Sequence, residues 1–271
     1  MKIFKNKKIL LKEISNIKDI AFIPTMGSIH KGHLSLVNIA KKESKNTLVS
    51  IYVNPKQFNS NFDFQKYPRQ VSEDIALLKK AKVKYLYLPT YKDIYSFKPK
   101  SSIYLDKFAQ KLCGKFKKGH FQGVIDVVNR FVEIINPQLI FLGFKDFQQL
   151  TLIKYHINKN KIPTKVIECP TIRQSNGVAL SSRNAKLNKD QIKIAKNVYL
   201  YLKSNKEKIL SSNLKKEKLE FIKKIKLFGV KKIDYLECVN LITLETTKRI
   251  KKNSNIFIAY YLGNIRLIDN L

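Results

Sequence analysis

Two histidines three positions apart, His30 and His33, offer the clearest chemistry in this sequence. The apolar run 20–23 precedes them, followed by Met26 and Gly27, so a strand leads through a glycine turn into a helix. Residues three apart share one face of a helix, which places both imidazoles at its first turn. Helix N-termini favour anions, and imidazole donors can follow charge that develops on a leaving phosphate. The arrangement predicts a nucleotide-phosphate site at which ATP activates a substrate.

The same pair could instead bind a metal ion, or simply be two solvated polar residues. A zinc site needs a third and often a fourth ligand, but the other two histidines, His120 and His156, lie far along the chain and Cys-x-x-Cys is absent. Metal ligation by the pair is therefore disfavoured. Solvated residues stay open as an alternative when the pair is considered alone.

Length and cysteine content bound the class of protein. A chain of 271 residues can form two unequal cores. The cysteines Cys113, Cys169 and Cys238 are odd in number and far apart, which fits reduced thiols better than a disulfide framework. The N-terminus lacks the apolar stretch of a signal peptide, and no segment is apolar enough to cross a bilayer. We expect a cytoplasmic protein without a membrane partner.

The formal net charge of +33 would ordinarily indicate nucleic acid or an anionic membrane as partner. The lysines are spread along the chain among many Asn and Ile residues, and no Arg-rich arm is present. We therefore attribute the charge to A/T-biased coding as a hypothesis. No specific nucleic-acid partner is expected, only non-specific polyanion binding that fades as salt rises.

Short apolar runs alternate with helical periodicity over the first part of the chain. They predict strands at 20–25, 47–53, 83–88, 139–142 and 165–169. This alternation is typical of a parallel sheet covered by helices, and ligands of such sheets bind beyond the C-terminal strand ends. After about residue 172 the pattern changes to a polar loop at 173–188, two lysine-rich helices near 189–227, and strands near 233–239, 256–262 and 265–269. The sequence thus predicts an α/β domain followed by a smaller α+β domain, with the polar loop as a lid or hinge.

Two further segments carry amides and acids that apolar packing does not explain. Asn54 and Gln57 come directly after the strand ending at 53 and suit recognition of hydroxyl and carbonyl groups. A proline turn in which Asn54 bonds its own backbone is an equally good interpretation. Asp74 lies in the first turn of a helix that Ser72 could cap, so helix stabilisation is its default explanation and Mg²⁺ ligation the alternative.

Three further segments carry positive charge. The loop 114–123 contains three lysines and either binds phosphate or carboxylate or is a solvated basic turn. Lys145 and Asp146 open a helix, where lysine opposes the macrodipole, so a functional charge is favoured, and Gln149 would face the same cleft. The segment 179–184 offers two hydroxyls and a guanidinium to a triphosphate, although a serine-rich helix cap would give similar residues.

Taken together, these motifs resemble the pantothenate synthetase family, whose members carry the HIGH nucleotidyltransferase motif. The resemblance rests on PTMGSIHKGHLSLV, VSIYVNPKQF followed by YPR, GHFQGV, GFKDFQQL, SNGVALSSRN and the terminal RLIDN, in this order over nearly the whole chain. It implies a Rossmann-type domain at 1–171 that binds ATP and pantoate, a smaller α+β domain at 172–271 that forms a lid, and a homodimer. The implied enzyme is an AMP-forming ligase that uses Mg²⁺. It makes pantoyl adenylate and pyrophosphate, and β-alanine then attacks to give pantothenate and AMP.

The resemblance also implies roles for individual residues. The implied catalytic residues are His30, His33, Lys145 and Arg183, with His33 at the position usually given the proton-donor role. The implied ATP-binding residues are Met26, Gly27, His30, His33, Gly143, Lys145, Asp146, Ile172, Leu180, Ser181, Ser182 and Arg183, where Asp146 would contact ribose or Mg²⁺. The implied residues around pantoate or β-alanine are Gln57, Gln149, Met26, Asn54, Val127 and Val128, with Tyr67 as a further contributor.

The sequence departs from the family pattern at a few positions. Phe144 replaces a commonly acidic residue, Cys113 replaces a common Glu, and Lys117 with Lys118 stands where Arg-Pro is frequent. Two rival interpretations stay open at this point. One is another HIGH-motif nucleotidyltransferase, which would have no reason to retain both 54–58 and 145–149, and the other is a polyanion-binding protein on a relict enzyme fold.

Overall fold

The computed structural model describes residues 1–211, 214–246 and 253–271. The chain forms two compact units, Met1–Thr171 and Ile172–Leu271. Among the described residues, no helix is both long and apolar enough to cross a membrane.

The first unit is built on a six-stranded sheet whose strand pairs are all parallel. Along the chain the strands are β1 Lys2–Phe4, β2 Ile20–Thr25, β3 Asn46–Ile51, β4 Tyr85–Tyr87, β5 Leu139–Gly143 and β6 Lys165–Cys169. Their order in the sheet is β1-β4-β3-β2-β5-β6. The predicted parallel α/β sheet is confirmed. Strand β1 escaped prediction because Phe4 is its only buried residue, which leaves no apolar run to recognise.

Helices cover both faces of this sheet. They are α1 Lys7–Ile14, α2 Lys31–Glu43, α3 Asn61–Gln65, α4 Val71–Lys80, α5 Tyr91–Tyr95, α6 Leu112–Phe116, α7 His120–Ile135 and α8 Phe147–Lys159. Alternation along β2 directs Ala21 and Ile23 into the core that includes Val37 of α2, whereas Phe22 packs on Phe131 of α7 at 5.5 Å between ring centroids. A buried strand of this kind has no polar face, as its sequence indicated.

Helix α4 corrects one local expectation. It begins at Val71, and its N-cap residue Gln70 makes no side-chain capping bond. Ser72 is therefore inside the first turn rather than at the cap. Asp74, in the same turn, accepts hydrogen bonds from the backbone of a neighbouring loop.

The second unit is an α+β structure. Its described elements are α9 Lys189–Ser204, α10 Lys206–Ser211, α11 Leu214–Leu227 and the antiparallel strands β7 Lys232–Asn240, β8 Ser254–Leu262 and β9 Ile265–Asn270. Positions 212 and 213, within the predicted helical region 189–227, lie outside the described residues. Two helices were predicted there, but α9 ends at Ser204 and a further helix, α10, begins at Lys206. Between them Asn205 is the C-cap of α9, and its side chain donates to the carbonyl of Tyr201. The core between helices and strands includes Val198, Ile225 and Ile258.

The polar loop 173–188 is fixed at its start. Arg173 donates Nη1 to Asp269 Oδ2 at 2.7 Å and Nη2 to Asp269 Oδ1 at 2.9 Å. Its Nη2 also reaches the carbonyl of Asn270 at 2.8 Å. A two-pronged guanidinium–carboxylate pair gives geometric specificity as well as energy, so the loop is anchored to the last strand of its own unit.

Candidate active site

The site begins where the chain order of the sheet reverses. Strands β2 and β5 are neighbours at its centre, although they are distant in sequence. A crevice opens beyond the carboxyl ends of parallel strands at such a point. The segment 26–33 leaves β2 there and the segment 144–149 leaves β5, so the fold brings the histidine motif and the Lys-Asp motif to the same edge.

The two histidines form the N-terminus of α2. His30 is the N-cap, and its Nδ1 accepts the backbone N–H of Gly32 at 3.1 Å. Nδ1 of His33 accepts the N–H of His30 at 3.3 Å, and the centroids of the two rings lie 4.1 Å apart. Because both Nδ1 atoms accept, the proton of each neutral ring is on Nε2. The helix start therefore presents two Nε2–H donors.

The electrostatics of the pair keep it neutral. Burial lowers the pKa of His30 to about 4, with the positive charge of Lys145 as the second cause. Burial, followed by the neighbouring His30, lowers the pKa of His33 to about 3. Both imidazoles are thus uncharged at neutral pH, so they act as hydrogen-bond donors without carrying positive charge.

Asp74 supports the turn that precedes the histidines. It is 2% exposed, and its carboxylate accepts the N–H groups of Ser28 at 2.8 Å and Ile29 at 2.6 Å. Gly27 has φ of 80°, and a Cβ there would lie 2.9 Å from Asp74 Oδ2. Burial raises the pKa of Asp74, against the two backbone hydrogen bonds. Both oxygens are engaged with the loop, so this structure gives Asp74 a positioning role, and its Mg²⁺ ligation stays a prediction.

Lys145 and Asp146 approach the same histidines from the end of β5. A 3₁₀ turn, Phe144–Asp146, leads into α8, and Asp146 is the N-cap of that helix. Lys145 Nζ lies 3.6 Å from Asp146 Oδ1, with side chains 16% and 50% exposed respectively. Both charges act on His30 and His33. A Cβ at Gly143 would meet nothing within 4 Å, which leaves space for a ligand above the strand end.

The amides after β3 form a second cluster. Asn54 precedes the 3₁₀ turn Pro55–Gln57 and accepts the N–H of Lys56 at 3.2 Å, as the turn interpretation requires. Its Nδ2 also donates to Gln57 Oε1 at 3.3 Å, and Gln57 Nε2 lies 2.7 Å from the sulfur of Met26. The structure therefore joins the predicted residues Met26, Asn54 and Gln57. Val127 is buried on α7, as is Val128.

The remaining predicted residues are less tightly constrained. Gln149 is half-buried in the first turn of α8. In the second unit, Leu180 N–H donates to the carbonyl of Ile172 at 2.9 Å. Ser181 caps a 3₁₀ turn by accepting the N–H of Arg183 at 3.3 Å. The capping alternative for this segment expected the cap at Asn188 or Ser182; Asn188 does cap α9, whereas Ser182 is the first residue of the 3₁₀ turn. ATP binding by Ile172, Leu180, Ser181, Ser182 and Arg183 stays a prediction.

Sequence reasoning missed two polar neighbours of the amide cluster. The hydroxyl of Tyr95 donates to Asn54 Oδ1 at 2.9 Å, across 41 positions of sequence. Asp126 and Arg130 form an ion pair of 2.8 Å on the buried helix α7. The second could have been recognised, since opposite charges four residues apart within an apolar helix indicate a buried pair. No local sequence pattern predicts the contact between Tyr95 and Asn54.

The donor set bears on Mg²⁺ as well. Among residues 1–211, 214–246 and 253–271, no three His, Cys, Asp or Glu side chains cluster closely enough to hold a metal ion. Mg²⁺ commonly binds through one or two carboxylates together with substrate phosphates. The half-exposed Asp146 beside the histidines fits that mode of binding.

Comparison with known proteins decides the family. A family model described as Pantoate-beta-alanine ligase matches residues 2–271. The chain belongs to this family. The predicted recognition and enzyme class are confirmed, so the chain is an ATP-dependent ligase. Because the match spans both 54–58 and 145–149, it sets aside the interpretation as another nucleotidyltransferase.

Individual members of the pantoate-beta-alanine ligase family are similar over nearly their full length. Pantothenate synthetases of Sulfurihydrogenibium sp. and Thermoanaerobacter pseudethanolicus are each 38% identical, over 94% and 100% of this chain and 92% and 96% of theirs. The ligase structure from Francisella tularensis, complexed with "Beta-gamma ATP and Beta-alanine", has a TM-score of 0.84 at 37% identity and covers 100% of this chain and 97% of its own. A pantothenate synthetase structure from Thermus thermophilus has a TM-score of 0.87 at 30% identity, covering 100% and 99%.

Proposed function

We propose that this chain condenses pantoate with β-alanine in two steps at the edge of the sheet described above. In the first, a pantoate carboxylate oxygen bonds to the α-phosphorus of ATP while the bond to pyrophosphate breaks. In the second, the β-alanine amine attacks the adenylate carbonyl, loses a proton, and AMP leaves with the bonding electrons. Family membership supports the substrates. The pair of neutral imidazoles beside Lys145 is the observation that carries the mechanism.

Charge repulsion is the main obstacle to the first step. A carboxylate must approach a triphosphate, and negative charge then builds on the departing pyrophosphate. Preorganised donors and cations aimed at that charge lower the barrier without reorganising during the reaction. Lys145 supplies one cation, and we propose that Arg183 supplies another. Neither residue needs to form a covalent bond to substrate.

His30 and His33 act in this proposal as hydrogen-bond donors. A neutral imidazole holds one proton, here on Nε2, and does not release it at neutral pH. Proton donation by His33 would first require protonation of Nδ1, which already accepts the N–H of His30. We therefore assign both Nε2–H groups to hydrogen bonds with phosphate oxygens, and not to proton transfer.

The amide cluster suits the acid substrate. Gln57 Oε1 accepts from Asn54, so Nε2 is left as a donor that lies against the weakly accepting sulfur of Met26. A hydroxyl or carboxylate oxygen of pantoate is a better acceptor than a thioether. Gln149 supplies a second amide, while Met26, Val127 and Val128 form an apolar wall for the two methyl groups of pantoate.

Several further assignments complete the proposal. Asp146 would hold Mg²⁺ on the protein side, and the ion would neutralise part of the charge of the ATP phosphates. The segment from Leu180 to Arg183 and the residue Ile172 bind the nucleotide, and the loop 173–188 shields the adenylate from water. The protein acts as a homodimer in the cytoplasm, a location that the free buried thiols of Cys169 and Cys238 support.

The test is AMP release by the purified chain with ATP and Mg²⁺, omitting pantoate or β-alanine in turn. Release should require both substrates, and pyrophosphate–ATP exchange should require pantoate alone. His33→Ala should slow both reactions by about a hundredfold or more, as loss of an oxyanion-type donor does. Lys31→Ala, which changes an exposed residue of the same helical turn, is the matched control. AMP release that does not depend on pantoate, or no AMP release with both substrates present, would refute the assignment.

A further inference from the structure

The side chain of Asn54 is buried and fully hydrogen-bonded. It is 1% exposed. Its Oδ1 accepts from the N–H of Lys56 at 3.2 Å and from the hydroxyl of Tyr95 at 2.9 Å, while Nδ2 donates to the carbonyl of Gly123 at 3.0 Å and to Gln57 Oε1 at 3.3 Å. If this amide were turned over, its NH₂ group would face the donors at Lys56 and Tyr95, and its oxygen would face the acceptors at Gly123 and Gln57. Its orientation is therefore fixed from three separate segments of the chain.

The fixed amide of Asn54 dictates that of Gln57. Because Gln57 Oε1 accepts from Asn54, its Nε2 must point away, toward Met26. The backbone of Gln57 is held as well, since Nδ1 of His120 lies 2.7 Å from its carbonyl oxygen. An isolated glutamine amide can exchange its oxygen and nitrogen positions by rotation at little cost. The amide of Gln57 is held with Oε1 on Asn54, so only its NH₂ donor faces Met26.

Tyr95 is itself held for this contact. It is the last residue of α5, and its ring contacts two cations, with Lys56 Nζ at 4.0 Å and Arg130 Cζ at 4.7 Å from the centroid. Asp126 holds both cations, with Arg130 Nε at 2.8 Å and Lys56 Nζ at 3.6 Å. Burial raises the pKa of Tyr95, with Asp126 as the second cause. The hydroxyl thus stays protonated and donates to Asn54.

We propose that Tyr95 is a positioning residue that orients, through Asn54, the pantoate-binding amide of Gln57. Its hydroxyl satisfies the oxygen end of the Asn54 amide, which keeps the nitrogen end on Gln57. The Asp126–Arg130 pair keeps the tyrosine ring in place. This inference rests on the proposed function, because it assigns the Gln57 donor to an oxygen of pantoate.

The test replaces one hydroxyl. Tyr95→Phe removes the hydrogen bond and preserves the ring, so KM for pantoate should rise about five- to tenfold, the cost of one lost hydrogen bond. KM for ATP should stay near its wild-type value, and the melting temperature should fall by only a few degrees, because Asn54 Oδ1 keeps the N–H of Lys56. Tyr91→Phe is the matched control, since that ring stacks on Tyr95 at 4.6 Å but belongs to an exposed residue.

A double-mutant cycle separates positioning from general destabilisation. Pantoate-dependent pyrophosphate–ATP exchange is measured for Tyr95→Phe, Gln57→Ala and the double variant. If Tyr95 acts through Gln57, its effect disappears in the Gln57→Ala background. Additive effects, an equal rise in KM for ATP, or an unchanged KM for pantoate would overturn the inference. Wild-type enzyme without pantoate-dependent exchange would instead refute the proposed function, so the two failures are distinguishable.

Discussion

At the scale of single residues, the site depends on side chains that hold backbone rather than substrate. Asp74 is the clearest example. It lies far from the histidines in sequence, yet its carboxylate accepts two N–H groups of the turn that leads to them. The glycine at position 27 leaves just enough room for that carboxylate. The position of His30 and His33 therefore depends on a buried acid that contacts neither ring.

Asp74→Asn tests this role. An amide can accept only through its oxygen, so one of the two N–H groups faces an NH₂ donor and loses its partner. We expect the free energy of unfolding to fall by about 1–3 kcal/mol, measured by urea denaturation without Mg²⁺. KM for ATP should rise about tenfold as the turn loosens.

The control for Asp74→Asn is Glu73→Gln, which removes an exposed charge from the same helical turn. A Mg²⁺ ligand would behave differently. The variant would then keep its stability in the absence of metal, and excess Mg²⁺ would restore activity.

At the scale of elements, a glycine allows helix α7 to pack closely against the loop after β3. A Cβ at Gly123, in the first turns of α7, would lie 2.2 Å from the carbonyl oxygen of Lys56. The helix is thereby pressed against the Pro55–Gln57 turn, which brings the Gly123 carbonyl to Asn54. At Gly143 the situation is the reverse, because a Cβ would meet nothing and φ is −76°.

Alanine at these two glycines should therefore have different effects on stability and on substrate binding. Gly123→Ala should lower the free energy of unfolding by about 1–3 kcal/mol through overpacking, although alanine is the better helix former. It should also raise KM for pantoate. Gly143→Ala should leave stability unchanged and raise KM for ATP, since its methyl group enters the space proposed for the nucleotide. Thermal melts with steady-state kinetics of both variants give the comparison, and equal stability losses would contradict it.

The elements were predictable to the extent that burial followed a periodic pattern. Strands β2, β5 and β6 are apolar runs ended by turns, and the structure places them where the sequence did. The short edge strand β1 was missed because a single buried residue makes no pattern. The helical region 189–227 is interrupted at Asn205, which is the C-cap of α9. Hydrophobic periodicity does not reveal such a cap.

The same limit applies to the site. The histidine pair and the Lys-Asp pair each follow a strand, so local sequence finds them. Tyr95 reaches Asn54 only because α5 packs beside the β3 loop, which is a tertiary contact between residues 41 positions apart. The hydrogen-bonding state of His33 also needed coordinates, because the acceptor role of Nδ1 depends on the direction of the His30 N–H.

At the scale of the whole molecule, charge is the most unusual property. Fifty-three basic side chains against twenty acidic ones give +33. The family match over residues 2–271 accounts for a ligase reaction and gives no role to this charge. Non-specific polyanion binding stays a prediction, and it should disappear at salt concentrations that leave AMP release intact.

Acid stability is the second whole-molecule property that the structure determines. His156 is 1% exposed, accepts the N–H of Tyr104 at Nδ1, and contacts Asn129 Oδ1 through Nε2. Burial lowers its pKa to about 4, so the ring stays neutral in the folded chain while an unfolded histidine takes up a proton below about pH 6.5. Between those values the unfolded state binds more protons, and stability must fall as pH falls.

We expect His156 alone to cost the fold about 2 kcal/mol between pH 7 and pH 5, from the standard linkage relation. His30 and His33 should add to the loss in the same direction, because their pKa values are also lowered. Urea denaturation of wild type and His156→Gln at both pH values measures the effect. The variant should be less stable at pH 7, but its stability should change less on going to pH 5. Equal pH dependence in the two proteins would contradict this, because it would mean that folding does not lower the pKa of His156.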